Sequence, residues 1–346
     1  MNAFKYLAAY IPVVLVFIAL MLGSWWTFLP VLILFGLFPI LELFMHPSAE
    51  NLSPQEQAVS EQNGVYNLII YLLVPMQYGL LVFFLFQMSS SMPNWERFGM
   101  IFSMGLACGI IGINAAHELG HRNSKFEQVL SKLLLLSSLY MHFFIEHNRG
   151  HHKHVSTAED PASSKYGEPI YFFWLRSIIY SYLSAWKLEK TRLAIIKKPF
   201  FSLHNEMLRF QVFQLLLLTT FLLIFGFNVM TYFIAAAFIG ILLLETVNYI
   251  EHYGLQRKKV NGKYERTLPI HSWNSNHPLG RIVLFELSRH SDHHYISSRK
   301  YQVLRHHDHS PQMPTGYPGM MLLALVPPLW FKVMHQKIHQ LASEVN

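Results

Sequence analysis

The sequence contains a single cysteine in 346 residues, Cys108, which lies inside an apolar segment. That excludes an intramolecular disulfide and any thiolate-rich metal site. Charge is scarce too: Asp, Glu, Lys and Arg supply 14% of the chain, against about a quarter in an ordinary soluble domain. There is no internal repeat and no low-complexity tail. No small-residue cleavage site follows the first apolar run, Leu7 to Met21, and another run begins within a few residues. A retained span is therefore expected rather than a signal peptide. The formal charge of +7 invites a nucleic-acid partner. None is expected, because the cations are distributed as in a membrane topology.

What the chain has in abundance is apolar bulk, with 27 Phe, 15 Met and a positive mean hydropathy. These describe one membrane body carrying a polar face rather than two or three soluble domains. Six spans are expected, at 7–23, 26–45, 66–88, 98–117, 210–227 and 229–248. Each is near the roughly 20 residues that a bilayer requires. The last two are joined by only Phe227 and Asn228, which predicts a tight antiparallel hairpin. Residues 121–209 hold 13 Lys and Arg and residues 251–346 hold 12, out of 27 in all. The positive-inside tendency puts both segments in the cytoplasm, as an even number of spans requires. The loop 46–65 carries neither residue and does not orient. The fold class is thus an all-α integral membrane protein, a single unit over 1–346, with cytoplasmic segments 118–209 and 249–346 forming a histidine-rich helical cap. The apolar stretches 132–145 and 319–334 read as helices at the cytoplasmic interface, with Pro327-Pro328 breaking the second in its middle.

The 20 histidines equal the carboxylates in number, and many are clustered. His147, His151, His152 and His154 fall within eight residues; His117 and His121 precede them; His252, then His290, His293 and His294, follow. On a helix, residues four apart share a face. His117 pairs with His121, His147 with His151 and His290 with His294, whereas His152 is turned about 100° further round, toward a different metal. Neutral imidazole is the commonest metal ligand, and an all-nitrogen set suits iron, copper, zinc or nickel. Nine clustered histidines are too many for one ion and suitable for two. A lone histidine at a membrane interface is usually only an amphipathic residue; four clusters on one side of the membrane are not explained that way. Glu118, Glu146, Asn248, Glu251 and Asp292 lie beside these histidines, where a ligand normally donates its other ring N–H. Glu42 and Glu245 fall inside spans and should face the bundle or the site. His46, His204, His335 and His339 read as surface residues, His142 as core, and His306, His307 and His309 as a solvated loop; His154 breaks the ligand spacing.

His117-Glu118-Leu119-Gly120-His121 also satisfies the helical zinc-protease pattern, with Glu118 as base. That reading leaves six histidines without work, and zinc has no redox chemistry.

In order along the chain, that first box, the block Glu146 to Ser163, Asn248 to Leu255, His271 to His277, Arg289 to His294 and Pro314 to Gly319 together resemble the integral-membrane alkane 1-monooxygenases. These stand within the wider group of histidine-box membrane desaturases and hydroxylases. Arg122 stands where the family usually has Lys, and Ser156 and Ala158 alter the tail of the second box. The resemblance implies a non-haem di-iron enzyme of the bacterial inner membrane, its site on the cytoplasmic side. His117, His121, His147, His151, His152, His252, His290, His293 and His294 would hold two iron ions. It further implies O₂ as oxidant and a rubredoxin as electron donor, reduced by NADH through a rubredoxin reductase.

Terminal methyl C–H bonds are stronger than methylene ones, so hydroxylation at a chain end must come from positioning. A narrow apolar channel is expected, lined by Leu32, Leu34, Phe35, Leu37 and Phe38 of the second span and Tyr71, Met76 and Tyr78 of the third. The alternatives are hydroxylation of an alkylaromatic methyl group, desaturation of a lipid chain and, outside enzymes, membrane metal storage.

Overall fold

The computed structural model describes residues 3–344. The described residues are overwhelmingly helical; the one sheet is a two-stranded ribbon pairing Lys259 with Tyr264 and Val260 with Lys263. Its turn, Asn261-Gly262, has both φ angles positive, the left-handed geometry that an Asn-Gly pair adopts most readily.

Among the described residues, five helices are long and apolar enough to cross a membrane: Ala3–Leu22, Ser24–Phe44, Gly64–Met88, Asn94–Gly120 and Glu206–His252. The first four overlap the first four expected spans. The fifth runs 47 residues and carries both of the last two, with a break at Gly226 (φ 83°, ψ 171°). The Phe221 and Phe233 rings meet across that break with centroids 5.1 Å apart. Twelve residues of continuous helix would separate them by about 18 Å, so the two arms double back on each other. The turn pivots on Gly226, just before the expected Phe227-Asn228, because only glycine enters that backbone region without strain.

Two interfacial stretches differ from expectation. Residues 132–145 are not one helix: Lys125–Leu136 ends, the chain turns with Leu139 at positive φ, and a new helix starts at Phe143. Pro327-Pro328 does not interrupt a helix but opens one, Pro327–Glu344, after Tyr317–Ala324 has ended. Proline suits a first helical turn because the N–H it lacks has no partner there.

Small residues set how closely the fourth span approaches the returning arm of the hairpin. A Cβ on Gly109 would lie 2.6 Å from Leu243, and one on Gly240 would lie 2.6 Å from Cys108. Close backbone packing of this kind drives helix association where lipid removes the hydrophobic drive. It brings the ends of these helices, carrying His117 and His252, to the same level. Ile170–Ile195 packs alongside, with Phe172, Leu175, Ile179 and Leu183 exposed on one stripe.

Candidate metal centre

Four backbone elements present histidines to a common space. The fourth span ends in Asn114–Gly120, placing His117 on its last turn and His121 just beyond. The segment after Phe143 winds as a π-helix over His147–His151. The returning hairpin arm ends at His252, and a short helix, His290–Tyr295, supplies three more.

The nine rings divide into two sets. His117, His121, His147, His152 and His293 form one; His151, His252, His290 and His294 form the other, and in each set the ligating atoms lie within 4.8 Å of one another. The division differs from the expected pairing of His147 with His151. In a π-helix the hydrogen bond runs to the fifth residue, so His147 and His152 share a face and His151 points to the other set. His293 likewise parts from His290 and His294, which keep the expected four-residue pairing.

The Nε2 atoms crowd together: 3.0 Å between His121 and His147, 3.1 Å between His147 and His152, and 3.0 Å between His152 and His293. In the other set they are 3.1 Å between His252 and His290 and 2.9 Å between His290 and His294. His151 Nε2 is buried without a hydrogen-bond partner. Converging lone pairs of this number cannot satisfy one another and call for a cation. An all-nitrogen donor set of this kind fits a first-row transition metal. Burial, followed by the neighbouring imidazoles, holds His121, His147, His152, His290, His293 and His294 well below the ordinary imidazole range. All six are neutral, the form a metal ligand requires.

The carboxylates around the rings are placed unevenly. Glu251 reaches His290 Nε2 at 3.2 Å and accepts from Tyr317 Oη at 2.7 Å. Asp160, which the sequence reading did not single out, faces His151 Nδ1 at 2.9 Å and accepts from Ser163. Burial raises the Asp160 carboxyl, but the charge and hydrogen bond of His151 outweigh that and hold it below the usual range. Its signal was the composition of the second box, whose tail keeps an acid nine residues after His151. The other expected partners turn elsewhere. Glu118 takes Arg122 and the Tyr301 N–H, a geometry that leaves no free base for a protease. Asn248 donates to Glu245, and Asp292 accepts from Arg299 and pairs with His307. Glu146 is buried beside Gly150, and burial lifts its carboxyl well above the usual range. His154 pairs with Glu159, and His142 packs against Tyr140 and Tyr182; both lie outside the two sets.

An apolar cavity with about 800 Å³ of empty space is lined in part by the rings of His117, His147 and His290. Leu34, Phe35 and Phe38 line it as expected. Leu32 and Leu37 face outward, and the third span contributes nothing: Tyr71 bonds Glu127 and Tyr78 bonds the Leu133 carbonyl. The opposite wall is instead Ile110 of the fourth span and Leu243, Leu244 and Val247 of the hairpin. The hairpin contribution was hidden because a uniformly apolar helix does not reveal which face turns inward.

The fatty acid desaturase family model matches residues 93–324 of this chain. Alkane 1-monooxygenase 1 of Pseudomonas aeruginosa is 44% identical over 327 residues, covering 91% of this chain and 84% of the relative. Alkane 1-monooxygenase of Acinetobacter baylyi is 39% identical, covering 89% and 76%. The xylene/toluene monooxygenase hydroxylase component of Pseudomonas putida is 29% identical over 271 residues, covering 76% and 71%.

Proposed function

Because this chain belongs to the alkane 1-monooxygenases of the fatty acid desaturase family, we propose that it hydroxylates n-alkanes at the terminal carbon, converting them to 1-alkanols. The observation that carries this reading is that an apolar cavity is lined by rings from both histidine sets. The overall change consumes an alkane, O₂, two electrons and two protons and releases a 1-alkanol and water.

The nine histidines would hold two iron ions, five nitrogens on one and four on the other. Bound there, the metals supply the redox activation of O₂. The chain's own residues do the rest. Leu34, Phe38, Leu243 and Val247 accept an extended hydrocarbon and exclude water. Since intrinsic reactivity favours methylene positions, the cavity must admit the chain end first to select the methyl group. Asp160 holds His151 in orientation through the ring nitrogen that faces away from the set.

The two hairpin arms count as separate crossings in this reading, giving six spans in a bacterial inner membrane and one functional unit over the whole chain. The rich supply of Lys and Arg in residues 121–209 and 251–346 supports a cytoplasmic site. A rubredoxin, reduced by NADH through its reductase, is the proposed electron donor, and the basic face suits a small acidic carrier.

Membranes incubated with donor, reductant and a medium-chain alkane under ¹⁸O₂ should yield labelled 1-alkanol. Likeness to the xylene/toluene component and to the desaturase family supports two other readings, which give benzylic alcohol or alkene in the same assay.

A further inference from the structure

Away from the histidines, a surface pocket with about 840 Å³ of empty space opens between Lys125–Leu136, Ile170–Ile195 and the start of the hairpin. Five cations line it: Lys125, Lys132, Arg149, Arg192 and Arg209. Among the described residues, two carboxylates answer them. Glu206 faces Lys132, Arg149 at 3.1 Å and Arg209 at 3.9 Å, while Glu189 faces Arg149 at 3.2 Å and Arg192. Lys125 has no ion pair among the described residues. The pocket thus keeps a surplus of positive charge, with guanidinium forks of the kind that match phosphate oxygens.

The surroundings are apolar on the sides that run along the helices. Val129 and Leu133 follow Lys125 at four and eight residues, on one helical face, and both are exposed. Val212, Phe213 and Leu216 follow Arg209 at three, four and seven residues and are exposed on one face of the hairpin's first arm. Two greasy stripes therefore lead away from a cationic mouth at the open end of a membrane-length hairpin. A free anion would use only the mouth; an amphiphile would use both.

We propose that this pocket binds the phosphate headgroup of an anionic phospholipid, whose acyl chains lie along the stripes formed by Val129 and Leu133 and by Val212, Phe213 and Leu216. Basic pockets between membrane helices recognise such headgroups, each cation adding to retention. The site is independent of the hydroxylation reading, since it uses none of the nine histidines. Arg149 is shared ground: it lies two residues from both His147 and His151 and is tied to the pocket through Glu189 and Glu206. Headgroup binding would steady the π-helical turn that carries those rings.

Native mass spectrometry of the full-length protein, stripped of lipid and offered equal phosphatidylglycerol and phosphatidylcholine, tests this. Phosphatidylglycerol should be retained preferentially. The double variant Lys125→Gln/Arg209→Gln should bind it about thirtyfold more weakly. Lys125→Arg/Arg209→Lys should restore it, and Lys258→Gln/Lys259→Gln, which removes as much charge from the distant ribbon, should leave it unchanged. Equal retention of both lipids, or equal loss in the ribbon variant, overturns the proposal. Displacement of the lipid by inorganic phosphate at the same phosphate concentration would assign the pocket to a soluble anion and overturn it as well.

Discussion

His147 and His152 are five residues apart, yet their Nε2 atoms lie 3.1 Å from each other. The π-helical winding of His147–His151 makes this possible, because it advances one turn in a little over four residues. His151, one residue earlier, belongs to the set shared with His252, His290 and His294. One local irregularity thereby lets a single short segment serve two metal positions.

The two sets should differ in how they tolerate loss. His252→Ala leaves three nitrogens in its set, and His152→Ala leaves four in the other. Metal analysis of purified protein should show about one iron per chain in His252→Ala, with His152→Ala retaining more. Equal, complete loss in both would contradict the five-and-four division.

Asp160→Asn removes the negative charge that fixes the His151 ring while keeping the side chain's shape. Loss of such an orienting group typically costs about 10- to 100-fold in metal affinity or activity. A chelator competition assay should show weaker iron retention, and wild-type retention would mean Asp160 serves only the local turn with Ser163.

Chain-length preference should respond to the inward face of the second span only. Leu34→Trp fills the cavity and should shift the product profile to shorter alkanes, whereas Leu32→Trp, on the outward face, should not. Identical profiles in both variants would detach the cavity from substrate binding.

Acid should destabilise the metal-free fold. His121, His147, His152, His290, His293 and His294 are held below the ordinary imidazole value, so they stay neutral when folded. In the unfolded chain they take up protons as pH falls through about 6.5. The unfolded state then binds more protons, so stability rises with pH up to that region and is lost below it. Thermal melts of chelated protein at pH 8 and pH 5.5 should differ by several degrees, the acidic sample melting first.

Donor-coupled turnover should fall as salt is raised, because screening weakens attraction between a basic surface and an acidic carrier. A rate independent of ionic strength would leave the cations with topology as their sole role.

Composition and spacing by themselves determined a helical membrane protein, the hairpin near residue 227 and nine histidines in four clusters, since hydropathy and residue chemistry are local properties. They also carried the family, because the boxes are short, contiguous and ordered. Only the tertiary structure decided which histidine joins which set, since a π-helical turn forms through packing and leaves no mark in an i, i+4 count. It also decided that Asp160, not Glu118 or Asp292, orients a ring, and that Leu243 and Val247 face the cavity. The last is a relation between distant segments, set by how closely Gly109 and Gly240 let two helices approach.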